Sequence, residues 1–249
     1  MRFTAAVLAL LLTACASAPR QDTPPGAVQL PQVGHFSRNT PGEQLPAGWQ
    51  KWTLSRFKKP TEYRLVDYDG RTVVKARASS SASGLVHPVQ IDPQRYPVLD
   101  WDWKVAELIN GADNTKKHTE DSPARVVVSF AGDVSALPLA DRMFFDNVRL
   151  MTRQELPYAT LMYIWENRAP VGTIIPNLHT SRIKMIVAGS GKEHAGSWQH
   201  VSRNVAEDFR RAFGEAPGTI TAVAIMSDTD NTGEQASAYY GDISFRRAP

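Results

Sequence analysis

The chain has 249 residues, with 28 Lys and Arg against 25 Asp and Glu for a net charge of +3, and no basic run longer than a pair. Near-neutral balance without a cationic stripe argues against a nucleic-acid binder. The single cysteine, Cys15, excludes an intrachain disulfide framework.

The first residues set the compartment. Arg2 precedes an apolar run over 5–12, too short to span a bilayer and suited to the core of a signal peptide. It ends in Leu12-Thr13-Ala14-Cys15, small residues before a cysteine. Residues 1–14 are therefore expected to be a lipoprotein signal peptide, with Cys15 becoming the lipidated first residue. The alternative is an ordinary secretory signal cleaved near Ala16 or Ala18. Alanine rather than aspartate at position 16 points to the outer membrane, facing the periplasm. Residues 15–47 carry Pro24, Pro25, Pro31, Pro41 and Pro46, a composition expected of a flexible tether. Residues 48–249 are long enough for one domain with its own core.

Within that domain the elements read mostly as strands. Segments 62–67 and 72–78 flank Tyr68-Asp69-Gly70-Arg71, a hairpin signal. Residues 98–105 alternate: Leu99, Trp101, Trp103 and Val105 share one face, opposite Asp100, Asp102 and Lys104. Period two predicts a half-buried antiparallel strand, with the two tryptophans in the core. A polar loop over 107–123 leads into a strand over 124–131. Residues 144–151 are ambiguous between a short strand and other structure. Strands are expected over 160–165 and 182–188, separated by a loop carrying Glu166, Arg168, Asn177 and His179. Asn204, with Glu207 three residues on, caps the one predicted helix, whose stripe is Val205, Phe209 and Phe213 and whose stop is Gly214. Many short strands and one helix predict an all-β antiparallel sandwich of jelly-roll or galactose-binding-like type, covered by a helix near 204–213.

Residues 220–245 hold the densest oxygen donors, in a loop with Asp228, Asp230, Asn231, Thr232, Gly233 and Glu234. Asp228, Asp230 and Gly233 fall at positions 1, 3 and 6 of a calcium-loop spacing, but Tyr239 stands where an EF-hand needs glutamate. A structural calcium held by Asp228 and Asp230 is one reading; no other cofactor is expected. The other reading is a tight turn capped by Asp228 and Asn231. Glycoside hydrolysis would need two carboxylates astride a sugar bond, drawn from Glu120, Asp121, Glu166, Asp228 and Asp230. A lyase would draw on His179, Arg182 and Tyr158 or Tyr163. The histidines show no zinc spacing.

The segments LDWDWKV, EDSPARVVVSFAGD, YIWENRAPVGT, KMIVAGSG, RNVAEDFRRAFGEAPG and SDTDNTGEQASAYYGDISF resemble the bacterial domain-of-unknown-function family 3047, from about Gly48 to Phe245. That resemblance implies no particular activity. The closing YYGDISF is also similar to the last strand of jelly-roll carbohydrate-binding modules. The leading expectation is a lipid-anchored periplasmic protein that binds a glycan or cell-envelope polymer without catalysis. Trp165 and Trp198 would stack on sugar rings, and Asp121, Asp228 and Asp230 would accept hydroxyl hydrogen bonds. The alternatives are a glycoside hydrolase or polysaccharide lyase, and a structural or adaptor lipoprotein of the outer membrane.

Overall fold

A computed structural model describes residues 30–42, 44–53, 55 and 57–249. The expected signal peptide, Cys15 and the first part of the expected tether lie outside the described residues. In chain order the first strands are β1 (Gln32–Gly34), β2 (Gln50–Thr53), β3 (Glu62–Tyr68), β4 (Arg71–Ser79) and β5 (Ala82–Ile91). Next come β6 (Val98–Val105), β7 (Ser122–Phe130), helix α1 (Leu139–Thr152) and β8 (Ala159–Glu166). The last third holds β9 (Ile174–Pro176), β10 (Ile183–Ser190), β11 (Gln199–Asn204), helix α2 (Val205–Phe213), β12 (Ile220–Asp228) and β13 (Gln235–Arg246).

These strands form two facing sheets, so the fold is an antiparallel β-sandwich of jelly-roll type. One sheet runs β11, β6, β13, β4, β3, with β1 also on β13; the other runs β2, β5, β12, β7, β8, β10, β9. Among the described residues, the exception to antiparallel pairing is β8 with β10, which are parallel. At the predicted hairpin, Asp69 and Gly70 both take positive φ, 52° and 78°, the twist a two-residue turn needs.

Alternation in β6 decides what the sandwich encloses. Leu99, Trp101, Trp103 and Val105 are all at 1% exposure or less. The two indoles meet edge to face at 5.4 Å, and Trp101 packs on Tyr163 of β8 at 5.1 Å. Such tilted pairs add to area burial. At α2 the Asn204 side chain accepts from the Glu207 N–H at 3.1 Å, and Gly214 takes a left-handed φ of 75°. Phe209 packs on Phe130 at 4.6 Å, closing the core.

Two expectations change. Residues 144–151 lie in α1, a second helix. Its buried residues are only Asp141 and Phe145, while Leu139, Met143, Leu150 and Met151 are exposed. No apolar stripe faces the core, so the periodicity that marks a helix was missing. The helix is held instead by Asp141, which accepts from Thr180 Oγ1 (2.6 Å), Ser181 N–H (2.9 Å) and Ser181 Oγ (2.6 Å). The folded part also begins earlier than Gly48. Gln32 pairs with Ser244 at the sheet edge, and Phe36 is fully buried against Trp49 at 5.2 Å. The residues 32–38 thus belong to the sandwich and not to the tether expected over 15–47. Phe36→Ala should cost about 3–5 kcal/mol, the loss for emptying a buried phenylalanine site, read as a fall in denaturant midpoint.

Candidate functional site

Strand alternation on the seven-stranded sheet sends Val126, Val128, Leu161, Tyr163, Val223 and Ile225 inward to the core. Their neighbours Arg125, Val127, Ser129, Thr160, Met162, Ala222, Ala224 and Met226 therefore face outward. That outer face carries two cavities that share Met162. One, of about 480 Å³, has a floor of Trp52, Val86, Ala222, Ala224, Val127, Met162 and Ile183, interleaved with the hydroxyls of Ser129, Thr160 and Thr221. The residues after α1 overhang it: Gln154 donates from Nε2 to the Thr53 carbonyl at 3.1 Å, reaching the edge strand β2. The floor crosses β2, β5, β12, β7, β8 and β10, a width of about 24 Å at the usual strand spacing.

Half-buried Trp52 stands at the rim. Gly84 beneath it lets the indole lie against β5, because a Cβ there would come within 2.9 Å of the Trp52 ring and 2.6 Å of the Ile225 carbonyl. Trp52 thus presents a fixed aromatic surface at one end of an apolar floor.

The second cavity, about 390 Å³, is polar and is lined by Lys58, Lys117, His118, Glu120, Arg125, Asn177, His179 and Asp228 along with Met162. Its wall is organised by a buried ion pair. Arg125 donates from Nε to Asp228 Oδ1 at 2.9 Å and from Nη2 to Oδ2 at 3.0 Å. Ser122 N–H also donates to Asp228 Oδ1, at 3.1 Å. Burial nevertheless raises the Asp228 carboxyl to about 6, against the pull of Arg125, with Asp121 adding like-charge repulsion. The Arg125 guanidinium stays above its ordinary range: burial opposes this, and Asp228 and Glu120 more than offset it. Desolvation of the carboxylate is therefore the larger cost, yet the pair remains ionised at neutral pH.

Asp121, Asp228 and Asp230 do come together, with one carboxylate oxygen of each within 4.8 Å of the others. All but one of their oxygens are already engaged. Asp121 accepts from Asn231 N–H (3.2 Å), Thr232 N–H (2.7 Å) and Thr232 Oγ1 (2.7 Å). It is Asp121 of the neighbouring loop, and not Asp228, that caps the 231–232 turn. Asp230 pairs with Lys58 at 2.6 Å, leaving its other oxygen, Oδ1, buried and unpartnered. Calcium takes six to eight oxygen ligands. One free carboxylate oxygen beside two cationic side chains is a poor fit to it. The melting temperature should therefore be the same in excess EDTA as in millimolar calcium.

The aromatic residues fare differently. Trp165, expected at a sugar platform, is 1% exposed and packs on Trp103 at 5.9 Å inside the sandwich, its Nε1 donating to the Gly191 carbonyl. It is a core residue, because the alternation of β8 turns 161, 163 and 165 inward. Trp198 lies on the outer face of the other sheet, against Tyr68 and Tyr239. Glu166 is buried and caps its own turn, accepting from the Arg168 and Ala169 N–H groups. The lyase set is dispersed as well: His179 lines the polar cavity, Arg182 pairs with Glu215 at 2.6 Å, and Tyr163 donates to Asp208 within the core. The sequence reading missed Trp52, Arg125 and Met162. An arginine at an outward position among valines, in SPARVVVSF, was the available signal.

Residues 47–244 match the family model described as "Protein of unknown function (DUF3047)". No curated protein matches the chain. Among solved structures, the chain is similar to the family 11 carbohydrate-binding module of cellulosomal cellulase Lic26A-Cel5E of Clostridium thermocellum, at 10% identity and TM-score 0.45, covering 89% of this chain and 96% of that one. It is similar also to the carbohydrate recognition domain of Emp47p, at 11% identity and TM-score 0.44, covering 88% and 95%. A third is the xyloglucanase domain of NopAA, a type three effector from Sinorhizobium fredii, at 9% identity and TM-score 0.43, covering 84% and 98%. With nearly the whole sandwich inside the matched region, the chain belongs to the DUF3047 family.

Proposed function

We propose that this protein binds a glycan chain lengthwise across the outer face of its seven-stranded sheet. The observation that carries the reading is the groove itself: an apolar floor crossing six strands, rimmed by Trp52 and running through Met162 into a polar cavity. A floor this long suits a polymer better than a compact ligand. Sugars present apolar ring faces and hydroxyl edges together, and the floor offers Ala, Val and Met interleaved with Ser and Thr hydroxyls. Lys117, Asn177 and Glu120 then meet hydroxyls at the polar end. Of the carboxylates expected to do chemistry, Asp121, Glu166 and Asp228 are engaged structurally, which supports binding without turnover.

We further propose that the chain is tethered through Cys15 to the outer membrane, so that the groove meets polymers of the cell envelope. The sequence Leu12-Thr13-Ala14-Cys15 supports this. Cys15→Ser should move the protein from the membrane fraction to the soluble fraction.

The binding test incubates the protein with purified sacculi and with envelope glucans. Co-sedimentation with the polymer, without released fragments, is the expected result. Soluble fragments accumulating with time would replace the binding reading with a hydrolase or lyase, directing attention to Glu120, His118 and His179. Absence of both would leave the adaptor reading.

A further inference from the structure

The outer face of the six-stranded sheet, opposite the groove, is organised differently. Register places Lys75, Tyr239 and Lys104 side by side across β4, β13 and β6. Arg77 follows Lys75 on the same face of β4, with Glu62 of β3 directly opposite it. Among the described residues, no carboxylate forms an ion pair with Lys75 or Lys104. The nearby acids face other partners: Asp102 is held by Arg71 (3.0 Å) and His200 (2.9 Å), and Asp100 by Arg246 (2.6 Å).

Three aromatic rings sit among these cations. Tyr68 meets Tyr239 at 4.8 Å and Trp198 at 5.8 Å, both edge to face. Lys104 lies 4.8 Å over the Tyr68 ring and donates to its hydroxyl at 2.5 Å. Lys75 lies 5.5 Å over Tyr239, and Arg71 lies 4.8 Å over Trp198. The ammonium groups are thus held in place by the rings and lack a counter-charge.

We propose that this face is a second binding surface, which takes an acidic polysaccharide. Charge complementarity calls for a polyanion, and two features narrow its class. Bound nucleic acid stacks its bases on open aromatic faces, and here the rings are packed edge to face with cations over them. Lipid surfaces are entered by exposed apolar side chains. The large exposed apolar residues among those described, such as Leu139, Met143, Leu150 and Met151, lie off this face. A chain carrying carboxylates or sulfates along hydroxyl-rich rings fits both the cations and the phenol hydroxyls.

The test titrates the protein with dextran sulfate and with dextran of equal length. Dextran sulfate should bind and should weaken with added salt, as screening requires; dextran should not compete for this face. The double variant Lys75→Gln/Lys104→Gln should bind dextran sulfate about tenfold more weakly, from two lost charge contacts. The variant Arg142→Gln/Arg149→Gln, which makes the same change in net charge on α1, should lose less than twofold. Lys75→Arg/Lys104→Arg should retain binding, which separates a charge role from a folding role. Trp52→Ala should leave this binding intact, so failure here and failure of the groove reading are distinguishable. Equal loss in the α1 variant, or inorganic polyphosphate or anionic vesicles binding as tightly as dextran sulfate, would overturn the proposal.

Discussion

Replacing Arg125 by methionine should lower the melting temperature by roughly 10 °C, through the cost of about 3–5 kcal/mol for removing one partner of a buried ion pair. Arg125 is 1% exposed, and its guanidinium holds both oxygens of Asp228, the Glu120 carbonyl and the Met185 sulfur. Methionine fills much of the volume but leaves the Asp228 carboxylate buried with only the Ser122 N–H. The pH dependence has a definite sign. Folding raises the Asp228 carboxyl to about 6 from 3.8, so its contribution to stability is fully present below about pH 4 and is lost as pH rises through 6. Without Arg125 that carboxyl rises further, so the gap between the variant and the parent should widen above pH 6 and narrow near pH 4. Adding Asp228→Asn should recover more than half of the lost stability, since an amide needs no counter-cation. Thermal melts at pH 4.5 and 7.5 check this. A gap that is unchanged, or larger at the lower pH, would show that Asp228 does not depend on Arg125.

The parts of the fold legible in the sequence are those where local and tertiary demands coincide. Period two in 98–105 reported the core because one face of β6 is buried and the other is wet. Asp69-Gly70 reported a hairpin because only that turn needs two positive φ angles in succession. Asn204 and Gly214 marked α2 through backbone groups that any helix must satisfy. The failures share a different cause. Helix α1 is attached by a carboxylate and two hydroxyl residues, so its pattern carries no apolar stripe. Phe36 lies among prolines, yet it is stapled to the sandwich by β1, whose partner strand β13 lies about 210 residues further along the chain. The aspartate cluster was found as a group of residues, and its partners were not: Arg125 and Lys58 come from segments about 100 and 170 residues away. Spacing shows which donors can meet in a loop. It does not show which of them the rest of the chain has already engaged.

The groove makes the second large prediction, because one half-buried ring supplies most of its aromatic surface. Trp52→Ala should raise the dissociation constant for the polymer that sediments with the protein about 30-fold, the size of a central aromatic anchor worth about 2 kcal/mol. Stability should change little, since Trp52 lies on the short edge strand β2 and packs over Gly84 rather than in the sandwich interior. A second variant approaches the floor from the opposite direction. Ala222→Trp keeps every groove residue but one and fills the cavity at its middle, on β12, so it should abolish binding while the fold persists. Trp198→Ala removes an aromatic ring of the same kind from the other sheet and should leave this affinity unchanged. The three substitutions separate a general loss of aromatic surface from loss of one located groove. Weaker binding in the Trp198 variant with intact binding in the Trp52 variant would move the glycan to the six-stranded sheet. Filling the floor at Ala222 without effect would remove the groove from consideration altogether.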